Sequence, residues 1–333
     1  MASDANTAVQ SAEMSLASCS PSEGVERVLV LGGGGVRGAF QAGAIKAIIA
    51  KGFAPDAVYG TSVGALNAAF LVERASRYRG GEIDWPKISD ALIDFWLNEL
   101  DRPDKLWAQR NRFCLLLDII RNRFRSILDT SRWAAIIDRS LSERAIRDSP
   151  IKLKINTVDI NTQANFYADN STVNIKNYIV ASASVPFLMP LIEIGGSAYC
   201  DGGARHIVLL KHAVRDGARS VICVVCQPER EKIGPVDDLG SFAKLLERVG
   251  DISSARILED DLELIDANSS FLRSCPDCCV ASLSGQRTPL TPNIVRPARA
   301  LKVDPLKFNR DDIEKMIEAG FRQGQNINPA ALN

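Results

Sequence analysis

The sequence contains very little histidine: His206 and His212 are the only two among its 333 residues. Hydrolases with a serine-based triad in the chain order Ser…Asp/Glu…His usually carry the histidine on a separate late loop. The long C-terminal third of this chain contains none. The histidine content therefore disfavours a triad of this kind. We expect both histidines to lie on the surface near the start of a helix. A triad remains an alternative, and only these two residues could supply its histidine.

Net charge and long apolar runs are missing as well. Forty basic side chains balance forty acidic ones, which removes the overall electrostatic argument for binding nucleic acid. No apolar run approaches the roughly 20 residues that span a bilayer. The segment up to Glu23 is polar and rich in alanine and serine. It lacks the basic start and the apolar centre of a secretory signal.

These absences predict the domain organisation and the location. We expect a disordered segment at residues 1–24 and a single domain at residues 25–333. The expected location is the cytoplasm, with peripheral membrane contact but without a cleavable signal peptide or a membrane span. Export by a route that needs no cleavable signal stays open, and so does the oligomeric state.

A metal-binding pattern is also lacking, although the chain has eight cysteines. Cys223 and Cys226 lie in one β-like run, where side-chain alternation points them to opposite faces. Cys275, Cys278 and Cys279 are the better zinc candidates, but no second Cys/His pair follows at zinc-finger spacing. We therefore predict reduced, mostly buried thiols, with no metal and no cofactor.

What the sequence does contain is an alternation of β-like and helical patterns. The predicted strands are 28–31, 57–59, 151–158, 165–168, 191–194 and 220–226, with 279–283 less clear. The predicted helices are 39–51, 63–77, 89–100, 132–147, 208–217 and much of 241–272. This order predicts an α/β fold with three layers (α/β/α), a mainly parallel central sheet and a helical insertion at about 80–148.

The most informative motif is Gly60-Thr61-Ser62-Val63-Gly64, a Gly-x-Ser-x-Gly pattern. It follows an apolar run and opens a helical pattern, as in a nucleophile elbow, where a sharp strand-to-helix turn exposes the serine Oγ. Gly60 and Gly64 are needed because a Cβ there would collide with the neighbouring strand and helix. The motif alone leaves open a strand–turn–helix junction with an idle serine.

A glycine-rich loop, Gly32–Gly38, lies between the first predicted strand and the first predicted helix. Such a loop gathers backbone N–H groups and a helix N-terminus around one point, so it binds anions. One interpretation is a dinucleotide loop. A Rossmann fold, however, needs an acidic residue at the end of its second strand, and Asp56 precedes that run. The other interpretation, which we favour, is an oxyanion hole that serves Ser62. Its residues would be Gly33, Gly34, Gly35 and Gly38, with Gly34 and Gly35 as the expected donors.

A third element is Asp201, which ends an apolar stretch and precedes Gly202 and Gly203. In isolation it is an ordinary Asp-Gly turn. In the order glycine loop, Gly-x-Ser-x-Gly and Asp-Gly-Gly, however, the chain resembles the patatin-like phospholipase family. The segment 181–190 is similar to that family's Ala-Ser-x-x-x-Pro-x-x-x-Pro segment, and 312–321 to its closing helix. The resemblance runs from about Val28 to about Gly324. Many members carry aspartate where Gly32 stands here.

The resemblance implies a patatin-like fold and a Ser–Asp dyad, with Ser62 as nucleophile and Asp201 as base. It implies an acyl-serine intermediate, no metal, and a phospholipid or lysophospholipid substrate. Arg37 would orient the glycine loop or contact an anionic head group, or would simply form a surface ion pair. We expect Asn67 to pack or to cap its helix. The alternatives are an esterase or acyltransferase acting on other lipid esters, and a non-catalytic scaffold that binds lipid or phosphate.

The predicted insertion has an unusual composition. All four tryptophans lie within or beside it: Trp85, Trp96, Trp107 and Trp133. Between Asp101 and Trp133 eight basic residues face four acidic ones, and Leu115–Leu117 with Ile119 and Ile120 supply apolar surface. These features fit contact with an anionic lipid surface, and equally a helical lobe that packs on the sheet. In either case we expect this insertion to act as a lid that sets acyl-chain specificity.

Overall fold

The computed structural model describes residues 26–233, 242–274, 286 and 288–327, and their centre is an eight-stranded sheet. Its strands are β1 (Arg27–Leu31), β2 (Ala57–Thr61), β5 (Lys152–Asp159), β6 (Asn165–Asp169), β7 (Ile192–Ile194), β8 (Ser197–Asp201), β9 (Ser220–Val224) and β10 (Asn293–Val295). They follow the order β10-β9-β1-β2-β5-β8-β7, and β6 also pairs with β5. The pairings from β10 to β5 are parallel. The sheet is therefore mainly parallel with an antiparallel end, as predicted.

Helices cover both faces of this sheet. They are α1 (Gly38–Ala50), α2 (Val63–Ala75), α3 (Trp85–Glu99), α4 (Pro103–Leu106), α5 (Arg112–Ile120), α6 (Ser131–Ser140), α7 (Glu143–Arg147), α8 (Ile175–Ser182), α9 (Leu210–Arg215), α10 (Phe242–Ser274) and α11 (Arg310–Gly324). Leu29 and Leu31 of β1 join one apolar cluster with α1, α2, α3 and α11. Val28 and Val30 join a second cluster with α9 and α10. Because alternate strand residues enter opposite clusters, the three-layer α/β/α arrangement is confirmed.

The predicted elements agree with the structure over most of the described chain, and the differences have local causes. The single helical pattern 132–147 is in fact two helices, because Leu141 is extended and Ser142 caps a new start by accepting from the N–H of Ala145. Helices α4, α5 and α8, the strand β8 and the three-residue strand β10 were not among the predicted elements. The expected disorder at 1–24, the cysteines 275, 278 and 279, and the uncertain strand 279–283 lie outside the described residues.

The segment predicted as an insertion holds α3 to α7 and a small hairpin. The hairpin strands are β3 (Ala108–Gln109) and β4 (Leu128–Asp129), which pair antiparallel. Three tryptophans of this segment, Trp85, Trp96 and Trp133, are buried in the main core and do not lie on an exposed membrane-facing surface. No helix of the described residues has both the length and the apolarity to cross a membrane.

Candidate active site

Ser62 lies at a strained turn between β2 and α2. Its backbone angles are φ 58° and ψ −130°, a conformation that costs a non-glycine residue free energy and is typical of a nucleophile elbow. The turn requires the two flanking glycines. A Cβ on Gly60 would lie 2.3 Å from the carbonyl oxygen of Gly64, and one on Gly64 would lie 2.3 Å from that of Leu31. The motif is therefore an elbow in its local geometry.

Asp201 meets Ser62 because three neighbouring strands bring them together. Thr61 of β2 pairs with Asn156 of β5, and Thr157 of β5 pairs with Asp201 at the end of β8. The Ser62 hydroxyl donates to Asp201 Oδ2 at 2.6 Å. The backbone N–H of Gly203 donates to the other carboxylate oxygen at 2.7 Å. Both side chains belong to buried residues, each only 6% exposed.

Burial changes the acid–base behaviour of this carboxyl group. Desolvation raises the pKa of Asp201 to about 6, while the hydrogen bonds from Ser62 and Gly203 act in the opposite direction. A carboxylate with a pKa near 6 is a stronger base than an ordinary aspartate, and it is still mostly ionised at neutral pH. The pair therefore combines a positioned hydroxyl with a base that can accept its proton.

A second group of polar contacts holds the backbone of the Ser62 turn in place. The backbone N–H of Ser62 donates to Ser182 Oγ at 2.9 Å, and the Ser182 hydroxyl donates to the carbonyl of Asn156 at 2.7 Å. The Asn156 side-chain amide donates to the carbonyls of Gly202 and His206 at 3.0 and 2.9 Å. Ser182 and Asn156 thus connect the Ser62 turn with the Asp-Gly-Gly turn. The sequence analysis did not predict either role, although Ser182 lies in the 181–190 segment that resembles the family's Ala-Ser-x-x-x-Pro-x-x-x-Pro motif.

The glycine loop passes directly beside Ser62, since a Cβ on Gly33 would lie 3.1 Å from Ser62 Cβ. The N–H of Gly33 donates to the carbonyl of Ile207 at 3.1 Å, and that of Gly38 donates to Gly35. These two glycines therefore shape the loop and are not available as donors. Within the described residues, the N–H groups of Gly34 and Gly35 make no hydrogen bond, as expected for an anion-binding pair.

Arg37 is buried beneath the loop and does not lie on the surface. Its Nε donates to the carbonyl of Gly34 at 3.2 Å. Its two terminal nitrogens contact the carboxylate of Asp251 on α10 at 3.0 and 2.8 Å. Of the three roles considered from the sequence, these contacts favour the orientation of the loop. Asp251 was not predicted, because it lies more than 200 positions along the chain.

A buried amide network holds the two ends of the same loop. The Gln41 side-chain amide donates to the carbonyl of Gly32 at 2.6 Å. The Asn67 amide donates to Gln41 at 2.9 Å and to the carbonyl of Gly38 at 3.2 Å. Trp96 Nε1 in turn donates to the Asn67 side-chain oxygen at 2.9 Å. Asn67 therefore does more than pack or cap, because it links the elbow helix, the glycine loop and the insertion.

An apolar cavity of about 100 Å³ begins at Ser62 and extends under the insertion. Its walls come from the glycine loop, the insertion and the 181–190 segment, and include Trp96, Trp107, Leu128, Trp133, Leu188 and Met189. A cavity lined in this way excludes water, and at this volume it accommodates the first few carbons of a hydrocarbon chain with its reacting end at the serine. Tryptophans from the insertion thus form part of the wall next to the proposed nucleophile.

The two histidines lie close to the site but do not contact the Ser62–Asp201 pair. The ring of His212 lies against Tyr167, with a centroid distance of 4.2 Å, and the ring of His206 is 6.4 Å from that of His212. Both are partly buried, which corrects the expectation of surface positions. Burial lowers the pKa of His206, and it lowers the pKa of His212 to about 4. Among the described groups, only Ser62 and Gly203 donate to the Asp201 carboxylate.

Comparison with known proteins gives three findings. The sequence model of the patatin-like phospholipase family matches residues 29–214. Two curated relatives, both lysophospholipase nte1, come from Aspergillus terreus and Aspergillus niger and are 27% and 26% identical to this chain. Each match covers 63% of this chain but only 12% of the relative. Among solved structures, VipD from Legionella pneumophila is 13% identical, with a TM-score of 0.40 over 94% of this chain and 67% of its own.

Proposed function

This chain belongs to the patatin-like phospholipase family, and on that premise we propose that it is a lipid acyl hydrolase. Its proposed substrates are carboxylic esters of phospholipids or lysophospholipids. The observation that carries this proposal is the 2.6 Å contact between the Ser62 hydroxyl and the buried carboxylate of Asp201. Two lysophospholipases among the relatives and the apolar cavity at Ser62 support a lipid substrate.

In the proposed mechanism, Ser62 Oγ attacks the ester carbonyl while Asp201 accepts the hydroxyl proton. The negative charge that develops on the carbonyl oxygen is stabilised by the N–H groups of Gly34 and Gly35, each worth about 3–4 kcal/mol if well placed. Asp201 returns the proton to the leaving alcohol, which leaves an acyl group on Ser62. Water, deprotonated by Asp201, then attacks the acyl carbonyl; the bond to Ser62 Oγ breaks, Asp201 returns the proton to that oxygen, and the fatty acid is released. The pair uses no metal in these steps.

The proposal is tested by measuring fatty-acid release from lysophosphatidylcholine and from phosphatidylcholine vesicles in the presence of EDTA. We expect release from at least one of the two lipids, unaffected by the chelator. A chain that releases no fatty acid from either lipid, and that does not cleave a short-chain ester, is not a hydrolase of this class. Release from short-chain esters alone would favour an esterase that acts on other substrates.

The pH dependence follows from the raised pKa of Asp201. Because only the ionised carboxylate can accept the serine proton, kcat/KM for a soluble ester should rise with pH through a midpoint near 6. The same group affects stability with the opposite sign. Its native pKa lies above the unfolded value, so its contribution to stability is complete below about pH 4 and is lost as pH rises through about 6. A rate profile with its midpoint near 4 would contradict the role of the buried carboxylate.

The histidines provide the contrast with a triad. We expect His206→Ala to retain activity within about tenfold of wild type, because the ring does not contact the Ser62–Asp201 pair. Loss of a true general base costs about 10²- to 10⁴-fold. The measurement is kcat on a soluble ester, with a thermal melt to show that the variant folds. A folded but inactive His206→Ala would replace the dyad with a histidine-dependent mechanism.

A further inference from the structure

Helix α5 presents an unusually exposed apolar surface. Phe113, Leu116, Ile119 and Ile120 are 54–70% exposed, and no residue of this nine-residue helix is buried. Phe113, Leu116 and Ile120 fall on one face, since they are separated by three and four positions. Single exposed apolar residues are normal, but a cluster of four on one short helix marks a surface that meets an apolar partner.

This helix is anchored beside the cavity that begins at Ser62. It lies in the segment that leaves β3 and returns to β4, which we call the excursion. The two strands pair with each other where this segment begins and ends. The backbone N–H groups of Ile127 and Leu128 donate to the carbonyls of Phe187 and Leu188, both at 3.0 Å. Leu128 and Leu188 line the cavity, while Phe187 is 62% exposed. The apolar surface is therefore attached to the wall of the acyl-chain cavity, with a further exposed aromatic side chain at that junction.

The charge of the excursion is strongly one-sided. Residues 110–129 contain five arginines and two aspartates, although the chain as a whole carries no net charge. Asp118 is engaged by Arg110 at 2.6 Å. The other four arginines, Arg112, Arg121, Arg123 and Arg125, are exposed. Apolar side chains bordered by arginines complement a membrane surface, where acyl chains lie beneath anionic head groups.

We propose that α5, its neighbouring arginines and Phe187 form the surface through which this chain docks onto membranes that contain anionic lipid. The inference rests on the proposed function, because such a surface would place the cavity at the substrate layer. Charge complementarity selects the occupant. A second copy of this chain would bring two positively charged excursions together, which is unfavourable, whereas an anionic bilayer neutralises them.

Vesicle binding tests this surface directly. The full chain is sedimented with vesicles of phosphatidylcholine alone or mixed with phosphatidylglycerol, over a range of salt concentrations. We expect preferential binding to the mixed vesicles, weakened by salt. The double variant Phe113→Ser/Ile120→Ser should lower the partition coefficient of the protein onto the vesicles by about tenfold or more, because two large apolar side chains no longer insert into the bilayer. Arg121→Gln/Arg123→Gln should lower binding to the mixed vesicles and reduce its salt dependence.

The matched controls are an exposed valine in the turn between β6 and α8 and an exposed arginine on α7, both outside the proposed docking surface. Val173→Ser removes a side chain that is 68% exposed, and Arg144→Gln one that is 90% exposed. Both should bind vesicles like wild type. All variants should cleave a soluble short-chain ester at the wild-type rate. If neither the wild type nor any variant cleaves the ester, the proposed function fails. The vesicle-binding measurement still tests the docking surface in that case.

Two results would overturn the docking surface. One is a wild-type partition that the Phe113/Ile120 substitutions leave unchanged. The other is a change of oligomeric state in these variants, measured by light scattering, without any change in vesicle binding. The second result would assign the helix to contact between copies of the chain.

Discussion

Replacing Ser62 by alanine is expected to lower kcat for ester hydrolysis by about 10³-fold or more, since the nucleophile and its covalent intermediate are lost together. The fold should survive, because the backbone N–H of residue 62 keeps its bond to Ser182 Oγ. Steady-state kinetics on a soluble ester measure the loss, and a thermal melt verifies the fold.

A second variant, Asp201→Asn, tests the proposed base specifically. The amide keeps the size of the side chain, and its oxygen can still accept from the N–H of Gly203, but it cannot accept the serine proton. We expect a loss similar to that of the Ser62 variant, without loss of thermal stability, because a buried ionisable group has been removed. Asp56→Asn is the matched control, since this carboxylate pairs with Arg27 at the surface. Substantial activity in folded Asp201→Asn would exclude Asp201 as the base.

The largest expected effect on stability concerns the contact between α1 and α11. A Cβ on Gly43 would lie 1.8 Å from the carbonyl oxygen of Ile317, and one on Gly320 would lie 1.9 Å from that of Phe40. Both clashes are with helix backbone, which cannot move aside as a flexible side chain can. We expect Gly43→Ala and Gly320→Ala each to lower the free energy of unfolding by about 2–4 kcal/mol, a large value for adding one methyl group.

A helical glycine without neighbours provides the control. Gly250 on α10 has no atom within 4 Å of its ideal Cβ position, so Gly250→Ala should raise stability by up to about 1 kcal/mol through helix propensity. Urea denaturation of the three variants measures both the expected losses and the expected gain in the free energy of unfolding. If Gly43→Ala or Gly320→Ala is as stable as wild type, the two helices do not pack as closely as described.

Local sequence pattern predicted the framework well. Each predicted strand in the described residues overlaps an observed one, because buried strands read as short apolar runs bounded by turns. The elbow was also readable, since the glycines at 60 and 64 are demanded by contacts within a few residues or with the adjacent strand. The three-residue β10 was missed because so short a run carries too little periodicity to recognise.

Contacts that depend on tertiary packing could not be read in the same way. Nothing in the local pattern connects Arg37 with Asp251, or Ser182 with the backbone of Ser62, because each pair is joined only by the folded sheet and its helices. The proximity of Ser62 and Asp201 was inferred from the family resemblance, and strand order supplies its physical reason. Trp107 and Trp133 likewise read as surface or lid candidates, whereas in the structure they line the cavity.

The central claim is that Ser62 becomes acylated with Asp201 as its base. The most direct measurement is labelling of the chain with a fluorophosphonate probe, followed by peptide mass spectrometry to locate the adduct. We predict an adduct on Ser62, none in Ser62→Ala, strongly slowed labelling in Asp201→Asn and normal labelling in Asp56→Asn. An adduct on another residue, or labelling of Asp201→Asn at the wild-type rate, would contradict the account.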